Sequence, residues 1–156
     1  MVVGVLQRER GFTYIGVLVL VALMGVALAA SGQIWHTTQK REKERELLFI
    51  GEEFRVALAR YASYTPAKTR RAPLTLEELL QDPRHPGIQR YLRKIYVDPM
   101  TGTTEWGLIK GPAGEIYGVH SLSADEPLKK SNFARAERSF EGAEKYSEWV
   151  FMQARN

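Results

Sequence analysis

The sequence predicts an α+β fold: a long N-terminal helix, half of it membrane-spanning and half amphipathic, packed on a small antiparallel β-meander. Three observations lead there. Residues 12–30 (FTYIGVLVLVALMGVALAA) are almost wholly apolar and carry no charge. Leu47, Ile50, Phe54, Leu58 and Tyr61 recur at three- and four-residue spacings, the mark of a helix with one apolar face. Beyond residue 95, short apolar runs alternate with turn signals at Asp98-Pro99, Gly111-Pro112 and Gly114, a pattern of strands and tight turns.

The apolar run comes first in the chain. At 1.5 Å per residue it makes a helix of roughly 28 Å, close to the thickness of bilayer hydrocarbon. No Asp, Glu, Lys or Arg occurs in residues 11–39, and Arg8, Glu9 and Arg10 stand just before Gly11. A secretory signal has a shorter apolar core and a small-residue cut beyond it. Here the natural cut lies before the apolar run, which therefore stays with the mature chain as an anchor. Residues 1–11 read as a leader, 12–35 as a transmembrane and assembly helix, 36–64 as its amphipathic continuation, and 65–156 as an α+β domain. Gly25, Ser31 and Gly32 are the points where such a helix could bend. Residues 40–46 (KREKERE) alternate in sign and read as a solvated helix face laced by opposite charges one turn apart.

The remaining elements follow in order. Residues 65–73 (TPAKTRRAP) are a basic loop kept out of helix by two prolines. Thr75 with Glu78 makes a capping-box pattern, predicting a short helix over 76–81. A second helical turn is expected over 88–93. Strands are expected at 96–98, 104–109 and 116–122, with residues 110–114 (KGPAG) as the turn between the last two. In the tail, Phe133, Ala136 and Phe140 could share a helix face, interrupted by Gly142. Residues 147–152 (SEWVFM) read as a last strand with Trp149 and Phe151 on one side, and the tail aromatics read as core.

Composition narrows the function. After leader and anchor about 115 residues remain, enough for one small domain. There is no cysteine, so no disulfide framework and no thiol nucleophile. The formal charge of +4 is a mild surplus, which permits contact with anionic lipid or nucleic acid without arguing for it. Only three histidines, His36, His85 and His120, are present, and none is paired at metal-ligand spacing. His120, Ser121 and Asp125 are hydrolase residue types, but neighbours on a strand point to opposite faces. No nucleophile elbow or phosphate-binding glycine loop occurs. The expectation is a chain that is not an enzyme and has no cofactor.

Arg8-Glu9-Arg10-Gly11-Phe12-Thr13-Tyr14-Ile15, followed by the apolar helix, resembles the class III signal of type IV pilins and type II secretion pseudopilins. The resemblance implies cleavage by a prepilin peptidase between Gly11 and Phe12 and N-methylation of Phe12. It also implies packing of the N-terminal helix against other pilin-like subunits, and growth from an inner-membrane assembly platform with the C-terminal domain in the periplasm. Charge alone gives no such orientation, since Lys40, Arg41, Lys43 and Arg45 outnumber Arg8 and Arg10 across the apolar run. The family usually has glutamate four residues after the cleaved terminus, where this chain has Gly16. Within the family a missing glutamate is associated with minor subunits near a filament tip.

Asp98-Pro99-Met100-Thr101-Gly102, Trp106, and residues 116–125 (IYGVHSLSAD) resemble the major pseudopilin, whose Asp-Pro turn leads into a strand and whose last strand ends in an aspartate loop. That loop often holds calcium in the family. Here its only acids are Asp125 and Glu126, with Lys129 and Lys130 close by. A calcium ion wants six to eight oxygen ligands, so the reading is a metal-free loop held by backbone hydrogen bonds and by Asp125 as a cap.

The function expected is thus a pseudopilin-type structural subunit, minor in abundance, of a type II secretion or type IV pilus machine. Two alternatives stand beside it. One is a competence-type pilin-like module that binds DNA through Arg70, Arg71, Arg90, Arg93 and Lys94; the preferred reading involves no nucleic acid. The other is a simple membrane-anchored periplasmic domain.

Overall fold

The computed structural model describes residues 10–64 and 72–153, with the side chains of 10–13 and 27–35 outside that description. The chain divides into two compact units, Met1–Gln39 and Lys40–Asn156. Helix α1, Arg10–Ser63, contributes to both. The second unit adds strands β1 (Gly107–Lys110), β2 (Ile116–His120) and β3 (Phe151–Met152), with 3-10 turns at Leu76–Leu79, Arg135–Phe140 and Tyr146–Glu148. The architecture is α+β with a single three-stranded antiparallel sheet among the described residues, in the order β1-β2-β3.

The expected membrane-spanning half is corrected. Among the described residues no helix is long and apolar enough to cross a membrane.

In the second unit, the end of α1 supplies the floor of the core. Leu47, Ile50, Phe54, Leu58 and Tyr61, the stripe expected from spacing, are all buried, and Ala57 joins them. Phe54 meets Trp106 edge-on at 5.0 Å between ring centres and Tyr96 at 6.3 Å. Gly51 is the point of closest approach. A Cβ there would lie 2.2–2.4 Å from three ring carbons of Phe151, so only hydrogen leaves room for that ring.

β2 is the central strand. It pairs with β1 from Gly107↔His120 to Lys110↔Ile116, with an irregularity between Ile109 and Lys110. Gly114, at φ +87°, donates to the Gly111 carbonyl at 3.0 Å and closes the expected hairpin. β3 pairs on the other side through Gly118↔Met152 and Val119↔Phe151. The tail therefore adds a strand to the meander. Trp149 and Phe151 are fully buried while Met152 is exposed. Phe140 stacks on Trp149 at 5.5 Å, and Phe133 closes edge-on against both. These aromatics are core.

Other elements differ from expectation for local reasons. Residues 96–98 form no strand because Asp98 spends its backbone on a turn: its N–H donates to Thr103 and its carbonyl accepts from Gly102, both at 2.7 Å. Tyr96 gives its carbonyl to Trp106 Nε1 at 2.9 Å. The next strand accordingly begins at Gly107 rather than 104. The helix expected over 76–81 is a 3-10 turn, Leu76–Leu79, without a side-chain cap from Thr75. Glu78, the expected capping partner, accepts instead from the Tyr61 hydroxyl at 2.6 Å. No helix forms over 88–93, because Gln89 accepts from the Asp82 N–H and the N–H groups of Tyr91 and Leu92 donate to Leu79. The last strand is confined to Phe151–Met152 because Tyr146–Glu148 turns as 3-10.

Candidate functional site

The candidate site has two parts: what the apolar segment of α1 offers in the first unit, and what holds the second unit in shape. In the first unit, described side chains of α1 are exposed on every side: Tyr14, Ile15, Val17, Leu18, Val19, Leu20, Val21, Leu23, Met24 and Val26 range from 51% to 69% accessible. An apolar stripe would leave a polar face over, and this segment has none. A helix apolar all round calls for an apolar surrounding. Gly16 lies within it with open space around its Cα. Gly11 and Phe12, the expected cleavage and methylation residues, fall among those whose side chains are not described; the leader residues 1–9 lie outside the description altogether.

In the second unit, the Asp98 turn and the segment that follows β2 are far apart in sequence and meet in space. Ser121 Oγ, just beyond β2, donates to Asp98 Oδ2 at 2.6 Å, and Asp98 Oδ1 accepts from the Met100 N–H at 2.8 Å. The Ser123 N–H donates to Ser121 Oγ at 3.0 Å, and the Asp125 N–H to Ser123 Oγ at 3.2 Å. Gly102, at φ +75°, lets the Asp-Pro turn close. The hydroxyl of Ser121 is thus committed to Asp98, and His120 uses Nδ1 on the Ser121 carbonyl at 2.9 Å.

The loop after β2 is fastened to α1 by a residue the sequence reading missed. Glu44, in the run taken for a solvated face, is only 4% exposed. Its Oε1 accepts from the Leu128 and Lys129 N–H groups at 2.6 and 3.1 Å and from the Tyr146 hydroxyl at 3.0 Å. Burial first, and the Glu44 carboxylate second, push the Tyr146 hydroxyl up from its ordinary pKa. The signal was present in the sequence: Glu44 stands three residues before Leu47 and so continues the buried stripe by one turn.

Asp125 enters the loop through its backbone, its carbonyl accepting from the Tyr146 N–H at 3.1 Å. The expected Asp125 cap is replaced by Glu44. Glu126 is exposed and pairs with Lys130 at 2.8 Å, which holds its carboxyl below the usual range. Among the described residues no three His, Cys, Asp or Glu come together to hold a metal.

A second fastening closes the far end of α1. Asp82, fully buried, accepts from Arg84 through both carboxylate oxygens at 2.7–3.1 Å and from the Tyr91 hydroxyl at 2.9 Å. Arg84 also donates to the Tyr61 carbonyl at 3.0 Å and lies 3.6 Å over that ring. Burial alone would raise the Asp82 carboxyl, but the side-chain and backbone hydrogen bonds of Arg84 and that of Tyr91 outweigh it and hold it at about 2. Burial and the same carboxylate push Tyr91 up to about 12.

Of the cations expected on a nucleic-acid face, Arg90, Arg93 and Lys94 are exposed, and Arg70 and Arg71 lie outside the described residues. Comparison with protein families, with curated proteins and with solved structures gives no match to this chain.

Proposed function

We propose that the chain is a pilin-like structural subunit of a type II secretion or type IV pilus machine at the bacterial inner membrane. In this reading prepilin peptidase cuts between Gly11 and Phe12, and the new Phe12 terminus is methylated. The apolar helix then packs against the same helix of other pilin-like subunits, and the unit Lys40–Asn156 stands in the periplasm. The observation that carries the reading is the exposure of apolar side chains on every side of residues 14–26. Such a surface is stable only when covered by other apolar groups, and neighbouring helices of like composition supply them. Gly16 supports a minor role. A glutamate there would answer a neighbour's terminal amine in an apolar surrounding, where an unpaired charge is costly; this chain offers none.

The chain has no cysteine, so single cysteines placed at successive positions from 17 to 24 report helix contacts directly. In membranes of a host carrying the assembly machinery, oxidation is expected to link the chain to other subunits with a helical period. Absence of cross-links at every position would leave a simple anchored domain as the better description.

A further inference from the structure

Residues 83–97 (PRHPGIQRYLRKIYV) hold four cationic side chains, one histidine and no acidic one. Arg84 is turned inward onto Asp82, with a side chain only 7% exposed. That buried pair locks the base of the loop, as do the Asp82 N–H on the Gln89 carbonyl at 3.0 Å and the His85 N–H on the Asp82 carbonyl at 3.3 Å. Tyr91 and Leu92 also turn inward, and the side chains on either side of them face outward. Ile88 is 78% exposed, more than any other large apolar side chain described. Arg90, Arg93 and Lys94 are exposed, and neither arginine enters an ion pair with a described residue. Val97, at the end of the segment, is 50% exposed.

We propose that loop 83–97 docks on an anionic phospholipid surface, with Ile88 entering the headgroup boundary and Arg90, Arg93 and Lys94 meeting lipid phosphates. An apolar tip beside cations suits an interface that is greasy on one side and negative on the other. Nucleic acid fits less well. Single strands are held by stacking on exposed aromatics, and the loop's tyrosines are turned away: Tyr91 is buried, and Tyr96 packs against Phe54. Duplex phosphates would satisfy the arginines and leave Ile88 in water. The loop is already held in one shape, so docking costs little ordering entropy. This inference stands whether or not the chain is a pilin-like subunit.

The test uses the full chain with one added cysteine, Gly87→Cys, carrying an environment-sensitive fluorophore. Gly87 has open space around it, and no native cysteine competes for the label. The protein, kept soluble in amphipol, is mixed with vesicles of phosphatidylcholine alone, with vesicles that also contain phosphatidylglycerol, or with a single-stranded oligonucleotide. A blue shift is expected on the anionic vesicles only, and it should fade in high salt. Neutralising Arg90 and Arg93 as Arg90→Gln/Arg93→Gln is expected to weaken it about 25-fold, at roughly fivefold per cation. Ile88→Ser is expected to reduce the shift at saturation. Both variants change only exposed side chains, and an unchanged circular dichroism spectrum shows that they fold. No shift on anionic vesicles, an equal shift on neutral ones, or a shift with the oligonucleotide alone would overturn the proposal.

Discussion

Ser121 and Asp98 form a hydrogen bond of 2.6 Å with both residues wholly inaccessible to water. It joins the segment following the central strand to a turn more than twenty residues earlier in the chain. A charged acceptor buried in this way depends on its donors. Ser121→Ala removes one donor to Asp98 and also the acceptor for the Ser123 N–H. Hydrogen bonds to charged groups contribute about 1.5–3 kcal/mol, so a loss of about 2 kcal/mol is expected for a chain beginning at Lys40, measured by chemical denaturation. A midpoint equal to the parent's would show that the bond does not fasten the meander.

The helix face makes a sharper demand. That shortened chain is expected to fold, since the unit Lys40–Asn156 holds the buried stripe, the sheet and the aromatic tail. Phe54→Asp places a carboxylate between Trp106 and Tyr96 at a cost of several kcal/mol, and circular dichroism should report an unfolded chain. Gly51→Ala gives the opposite kind of insult. Alanine favours helix by about 1 kcal/mol, but overpacking against Phe151 costs about 1–3 kcal/mol, so a lower melting temperature is expected. A higher one would mean that the ring yields easily.

How much of this was legible follows from the distances involved. The stripe from Leu47 to Tyr61, the hairpin at Gly114 and the burial of Trp149 and Phe151 are set by spacing within a few residues, and they were readable. Glu44 was misread because a charge run is normally solvated, and only the loop brought back more than eighty residues later makes it buried. The Thr75 cap failed for a like reason, since Tyr61 takes Glu78 from outside the local sequence. Strand lengths were overstated wherever a side chain or turn drew backbone groups away, as Trp106 does to Tyr96. The membrane-spanning helix rested on length and composition alone, and among the described residues no helix is long and apolar enough to cross a membrane.

The Asp82 carboxyl, held at about 2 in the folded protein, titrates near 4 when unfolded. A depressed folded value stabilises above the unfolded pKa, and that contribution is lost as pH falls from about 4 through about 2. At one pKa unit per ~1.4 kcal/mol its full worth is on the order of 2 kcal/mol. Asp82→Asn is therefore expected to be less stable than the parent at pH 7, with the gap closing over that window. Melting temperatures of the two chains across the pH range check this; a gap that stays constant down to pH 2 would reject it.

Gly16→Glu has room, since nothing lies within 4 Å of the position a Cβ would take. If the wild type is a minor subunit for want of a carboxylate, the variant is expected to be tolerated and to enter filaments in greater amount when overproduced. Quantitative immunoblotting of sheared filaments compares the two. Wild type as the dominant building block along the filament would defeat the minor-subunit reading and leave the pilin-like one in place.

The pilin-like proposal is tested most directly at the N-terminus, by the intact mass of the chain produced beside an active prepilin peptidase. Cleavage after Gly11 is expected to leave a mature protein that begins with N-methylated Phe12, and Gly11→Val is expected to leave the precursor whole. A wild-type chain that still begins at Met1 beside that peptidase would contradict the assignment.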